Sequence, residues 1–279
     1  MLEEKYINLN GREFRYLERH GVGCKLLFLH GLSDSADQFL PIASRLQEDW
    51  HLLALDQRGH GGSWQPKLGY TPMDYVQDIK DFIDALTISS LNIFGHSMGG
   101  RNAFIFAAQF PECIQSLILG DIGPDKNLDD VKGTIDFFNN LPKSFQTPAK
   151  ARDHLENRKP GYSVENLDIL MKNLTEDANG NLVWRYSKDA CIQSVTDSRS
   201  RDWWEYLPRI QCPVLLLHVE GSTELSAAVA ERMVQEMPTV NYRTVPDSGH
   251  NFQFENPDFA TSEIHQFLKP ANYTISNCG

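Results

Sequence analysis

The chain has 279 residues, 41% of them hydrophobic and 23% charged, a balance that suits one large α/β domain with an insertion, or at most two domains. A formal charge of −11 with no basic run argues against a nucleic-acid partner, and no apolar run reaches the length of a membrane span. The start, Met1-Leu-Glu-Glu-Lys-Tyr, lacks the apolar stretch of a secretion signal. The five cysteines (Cys24, Cys113, Cys191, Cys212, Cys278) are scattered, odd in number and without C-x-x-C spacing, so reduced thiols and a cytoplasmic location are expected. No metal or cofactor is called for.

In chain order, Asn10-Gly11 between the alternating runs Tyr6–Leu9 and Phe14–Glu18 predicts a β-hairpin. Lys25–Leu29 and His51–Leu55 are short, continuous apolar runs, as in strands buried on both faces of a parallel sheet. The first leads into His30-Gly31-Leu32, and the second into the glycine-dense turn Asp56-Gln57-Arg58-Gly59-His60-Gly61-Gly62-Ser63. A weak helical pattern spans Phe39–Leu46, and a clearer one follows Pro72 through Val76, Ile79, Ile83 and Leu86. Another strand begins at Leu91 and meets Gly95-His96-Ser97-Met98-Gly99. A helix over Asn102–Phe110, apolar almost all round, follows until Pro111.

Ser116–Gly120 reads as the next strand, delivering Asp121-Ile122-Gly123-Pro124. From about 125 to 208 the strand–helix alternation stops, and aromatics such as Phe137, Phe138, Tyr162 and Trp184 punctuate short helical stretches. A mainly helical insertion is expected there. The alternation resumes with a strand at Cys212–Leu217, a helix over Ala227–Met237, a strand over Asn241–Val245 and a helix over Pro257–Leu268. The expected organisation is therefore a core over 1–124, a helical insertion over 125–208, the rest of the core over 209–270 and a tail over 271–279. The sheet should be mostly parallel with helices on both faces.

In such sheets ligands bind beyond the carboxyl ends of the strands, and His30-Gly31, Asp56, Ser97, Asp121, Ser222 and His250 all fall there. Gly95-x-Ser97-x-Gly99, between a strand and a helix, has the form of a nucleophile elbow. A serine hydroxyl needs a base to take its proton, and histidine suits that task near neutral pH. Of nine histidines only His250 and His265 lie late in the chain. His265 falls inside the last helix and reads as a surface residue, leaving His250 as the candidate base. His96, beside the serine, should point away from it and pack beneath the turn, and His60, Asp56 and Arg58 read as braces.

His30-Gly31-Leu32, Asp56-x-Arg58-Gly59-x-Gly61-x-Ser63, Gly95-His96-Ser97-Met98-Gly99-Gly100 and Ser248-Gly249-His250 together resemble the α/β-hydrolase superfamily, in its small serine esterase branch with a helical cap. The resemblance implies an α/β-hydrolase fold, an acyl-enzyme mechanism at Ser97 and His250, and an oxyanion hole from the backbone N–H groups of Leu32 and Met98. The third member of the triad is a choice. The commonest version of the family carries its acid after the seventh strand, where Ser222 appears to hold the aspartate's position and Glu224 fits only in another register. A similar branch carries it in an Asp-Ile-x-Pro turn one strand beyond the nucleophile helix, as in Asp121-Ile122-Gly123-Pro124, with a serine after the seventh strand. Asp121 is preferred and Glu224 is the alternative. The expected substrate is a small-molecule ester with an apolar group. Lactones, thioesters, C–C bond hydrolysis or a menaquinone-pathway-type lyase reaction remain open, as does a non-catalytic ligand receptor on the same fold. A monomer or homodimer is expected.

Overall fold

The computed structural model describes residues 2–268; the expected tail over 271–279, with Cys278, lies outside the described residues. β1 (Glu3–Leu9) and β2 (Arg12–Arg19) form the hairpin, joined at Asn10 (φ 55°) and Gly11 (φ 84°). Two consecutive positive φ angles give a type I′ turn, whose twist matches that of the paired strands. β3 (Lys25–Leu29), a 3₁₀ turn over Ala36–Phe39, α1 (Leu40–Ala43) and β4 (His51–Leu55) follow. α2 (Pro72–Ala85) starts with Pro72 in its first turn and a reciprocal cap between Thr71 and Asp74, which satisfies amides that a helix start leaves open. β5 (Leu91–His96), α3 (Met98–Gln109) and β6 (Ile114–Gly120) complete the first part of the core.

The chain then leaves the sheet and returns to it. The excursion holds α4 (Leu128–Asn140), β7 (Ser144–Phe145), α5 (Pro148–Arg158), α6 (Val164–Met171), β8 (Leu174–Glu176), β9 (Leu182–Trp184) and α7 (Lys188–Arg199), then a 3₁₀ segment over Trp204–Arg209. It is helical in the main, but β7, β9 and β8 make a small antiparallel sheet that the sequence does not announce. β10 (Val214–Val219), α8 (Ala227–Glu236), β11 (Val240–Val245), α9 (Phe252–Glu255) and α10 (Pro257–Leu268) close the fold.

The main sheet has eight strands in the order β1-β2-β4-β3-β5-β6-β10-β11, and only β2 runs against the others. Alternate residues feed two cores. Leu27, Leu29, Leu53, Ile93, Leu117 and Leu216 meet α2, α3 and α8 on one face. Leu26, Phe28, Leu52, Phe94, Ile118 and Leu215 meet α1 and α10 on the other. Burial on both faces explains why these strands read as unbroken apolar runs. Two expectations need correction. α3 begins at Met98 rather than Asn102, and His265 is half-buried, edge-on to Trp50 at 5.2 Å, rather than on the open surface. Among the described residues no helix is long and apolar enough to cross a membrane.

Candidate active site

β5 ends at His96 and α3 opens at Met98, so Ser97 must turn the chain by itself. It does so at φ 52° and ψ −121°, a conformation that costs a non-glycine residue about 1–3 kcal/mol. The Ser97 N–H donates to Gly120 O at 2.9 Å, and Ser97 O accepts from the Arg101 N–H at 3.1 Å. The flanking glycines follow from steric contact. A Cβ on Gly95 would lie 2.4 Å from Gly99 O, and one on Gly99 only 2.1 Å from Leu29 O. The turn can be this sharp only because both positions lack a side chain.

One strand along, Asp121 ends β6 with φ 48° and is fully buried. Its Oδ1 accepts from the Val219 N–H at 3.1 Å, and its Oδ2 accepts from Ser222 Oγ–H at 2.6 Å and from His250 Nδ1–H at 2.7 Å. With Nδ1 as the donor, Nε2 of His250 is left to accept a proton. Glu224 also lies near the cavity, but its carboxylate is bonded to the Arg199 guanidinium. Burial, the largest single influence, would raise the Glu224 pKa; Arg199, His250 and Arg101 together outweigh it and hold the carboxyl below the ordinary range. Ser222, on the turn after β10, supports Asp121 from the side through its hydroxyl.

The neighbouring histidines His96, His30 and His60 are buried and neutral. His96 Nε2–H donates to His250 O at 2.8 Å, while Nδ1 accepts from Gln38 Nε2–H at 2.9 Å. Desolvation holds the His96 pKa well below its usual value, so the ring, tilted against His250 at 4.6 Å, adds no positive charge. His30 Nδ1–H donates to Gly31 O and its Nε2 accepts from the Gln57 N–H; burial lowers its pKa to about 4. His60 donates to Arg58 O and is pushed to about 3, again by burial. Asp56 accepts from Arg15, Ala36 N–H and Gly62 N–H, and Arg58 donates to Asp78 at 2.6 Å. His30, His60, Asp56 and Arg58 brace the loops rather than line the cavity, whereas His96, expected to point away beneath the turn, lines the cavity beside Ser97 and His250.

Gly31 donates its N–H to Gln38 Oε1 at 3.0 Å, which leaves the Leu32 N–H as the next main-chain donor on that turn. Met98 is the first residue of α3, so its N–H is one of the four that a helix cannot satisfy internally. A cavity of about 320 Å³ is lined by Leu32, Ser97, Phe137, Phe138, Glu224 and His250, among others. The structure thus brings Ser97, His250, Leu32 and Glu224 to one cavity, with Asp121 behind His250. Gln38 carries no sequence signal for its place between Gly31 and His96, since a glutamine in a loop reads as ordinary surface, whereas Phe137 and Phe138 belong to the aromatics of the insertion from which an apolar substrate group is expected.

The fold and this cluster of strand-end side chains define the class. A family model described as the alpha/beta hydrolase fold matches residues 26–257, and the chain belongs to that family. It is an enzyme of the α/β-hydrolase class. The 2-(acetamidomethylene)succinate hydrolase of Mesorhizobium japonicum is 28% identical over 265 residues, 94% of this chain and 92% of that protein. A serine hydrolase-like protein of Danio rerio is 26% identical over 268 residues, 89% of this chain and 82% of its own length. Among solved structures, E-2-(acetamidomethylene)succinate hydrolase superposes with a TM-score of 0.89 at 26% identity, over 96% of this chain and 99% of that one.

Proposed function

We propose that the protein is a serine hydrolase of carboxylic esters, with Ser97 as nucleophile, His250 as general base and acid, and Asp121 as the third member of the triad. The observation that carries this reading is the 2.7 Å bond from His250 Nδ1 to Asp121 Oδ2, in a histidine that shares a cavity with Ser97. In the first half-reaction Ser97 Oγ attacks the ester carbonyl and its proton passes to His250 Nε2. The C–O bond of the leaving alcohol then breaks, and the alcohol departs with that proton. In the second, water attacks the acyl-serine, giving its proton to His250, which returns it to Ser97 Oγ as the acid leaves. Asp121 fixes the tautomer and stabilises the imidazolium, which also faces the neutral His96.

The N–H groups of Leu32 and Met98 are the proposed oxyanion donors. Such a donor is worth about 10²- to 10³-fold in rate when lost. Residues 125–208 act as the cap, since α4 contributes Phe137 and Phe138 to the cavity and so forms an apolar wall over Ser97. Lactones and thioesters present the same carbonyl to the same groups. A cytoplasmic location fits Cys24, Cys113, Cys191 and Cys212, all of them free thiols. A phosphonofluoridate probe tests the nucleophile: labelling of the wild type that Ser97→Ala removes is expected. Ester turnover that survives Ser97→Ala, or no labelling at all, overturns the reading and leaves a ligand receptor.

A further inference from the structure

Next to the Ser97 cavity lies a second one of about 200 Å³, and the two share Leu32, Ser33, Asp34 and Asn251 as lining. Its distinctive members are Arg158, the last residue of α5, and Lys159, which caps that helix. Arg158 lies 4.6 Å over the ring of Phe137, itself a wall of the Ser97 cavity, so the guanidinium stands at the seam between the two spaces. Lys159 points its ammonium toward the Tyr162 ring at 5.7 Å.

Neither cation makes an ion pair within 4 Å among the described residues; Arg158 is exposed at the rim of the second cavity, while Lys159 is half-buried, and burial lowers its pKa although Glu255 and Asp34 favour its charge. Burial lowers the Lys159 pKa by more than Glu255 and Asp34 raise it, so this ammonium can still accept a further negative partner. The acids that face them are already engaged. Asp34 accepts from Asn173 Nδ2–H at 3.0 Å, and burial pushes its carboxyl up to about 6. Glu255 accepts from Tyr162 Oη–H at 3.0 Å and from the Gly249 N–H. In a protein with a formal charge of −11, two adjacent cations lining a cavity that borders the Ser97 cavity are a specific feature rather than a general one.

We propose that Arg158 and Lys159 form an anion-recognition subsite, so that the substrate is an acyl compound carrying a free carboxylate as well as the bond that Ser97 attacks. The guanidinium supplies a planar fork that suits a carboxylate, and the ammonium supplies a second charge. Asp34 on the same wall favours a single negative charge over a phosphate dianion. The proposal rests on the hydrolytic reading of Ser97, His250 and Asp121, and it names the class of substrate that reading leaves open.

The test compares two esters of equal chain length, 4-nitrophenyl hydrogen glutarate and 4-nitrophenyl pentanoate. Wild type should prefer the glutarate in kcat/KM by about 10-fold or more, and Arg158→Gln/Lys159→Gln should lower that ratio by about 10- to 100-fold, the effect of hydrogen bonds to a charged group. Should the double variant fail to fold, each single variant is read in the same way. Independently of turnover, Ser97→Ala should bind glutarate by calorimetry, and adding the two substitutions should abolish binding. A ratio that moves less than twofold, or no glutarate binding to Ser97→Ala at millimolar concentration, overturns the proposal. If Ser97 is not labelled and neither ester is cleaved, the hydrolytic reading fails, while glutarate binding still decides the anion subsite.

Discussion

Asp121 is fully buried and its two oxygens accept from Val219, Ser222 and His250, whereas Phe137, which lines the Ser97 cavity, is 39% exposed, meets Phe138 edge-on and has Arg158 over its ring. The contrast extends to their neighbours. On the strand-end side, His96, His30 and Asp56 each have hydrogen-bond partners on different loops, so displacing one strains several. On the α4–α5 side, Arg158 lies over the Phe137 ring and Lys159 near the Tyr162 ring, with only longer-range attraction from Glu255 and Asp34 on Lys159. A group that must hold a proton-transfer geometry needs rotamers fixed by surrounding bonds. A wall that selects substrates needs only shape and charge, and it can be altered without disturbing the reacting atoms. On the proposed mechanism, the firmly tied strand-end side sets the chemistry and the loosely tied α4–α5 side sets substrate preference.

The largest effect expected from this contrast lies at Asp121. Asp121→Asn should lower kcat by about 10⁴-fold through the wrong histidine tautomer, while Glu224→Gln should lower it less than about 10-fold, since Glu224 is taken up by Arg199. Steady-state kinetics on one activated ester decides it. The reverse order would move the acid to the turn after β10 and break the division drawn here.

Much of the strand-end side was legible in the sequence because its chemistry demands particular residue types. Asn10-Gly11 announces its turn by needing two positive φ angles, and Gly95 and Gly99 announce theirs by leaving no room for a Cβ. The start of α3 was hidden by the same logic: Gly99-Gly100 look like a loop, since glycine is a poor helix former, and close packing against β3 overrides that preference. β7, β8 and β9 are two or three residues long, too short for a two-residue alternation to register. Gln38 joins Gly31 to His96 only once the fold has brought them together. Arg158 and Lys159, at the end of a polar helix, read as a solvated surface until the second cavity is seen.

The buried, neutral histidines make the strand-end side the acid-sensitive one. Unfolded, each takes a proton near pH 6.5; folded, burial holds His30 at about 4, His60 at about 3 and His96 well below its usual value. Their contribution is therefore complete above pH 6.5 and is lost as the pH falls toward those folded values. Asp34, raised to about 6, works in the opposite direction, because its folded form gains the proton first. The net result should be a loss on the order of 4 kcal/mol between pH 7 and pH 5. Urea midpoints at the two values measure it, and a flat profile would mean that these histidines are not held neutral.

Gly99→Ala sharpens the contrast from the steric side. The added methyl would meet Leu29 O, a backbone atom in the middle of the sheet that cannot move aside cheaply. A loss of about 3 kcal/mol is expected. Gly161→Ala, where no neighbour lies within 4 Å, should lose less, and that loss should come from its φ of 88° alone. Thermal or urea unfolding of the pair compares them directly. Equal losses would show that the elbow is no more tightly packed than an open turn.

The smallest effect should come from the selecting wall. Phe137→Ala removes a half-exposed ring, so only part of its apolar area is lost on substrate binding, about 1 kcal/mol. That corresponds to about a fivefold fall in kcat/KM for a pentanoate ester and less for an acetate, which does not reach the ring. The loss should appear in KM, since a wall that grips ground state and transition state alike leaves kcat unchanged. A fall in kcat with KM constant would instead place Phe137 among the groups that hold the reacting atoms, and the two sides of the cavity would no longer be separable.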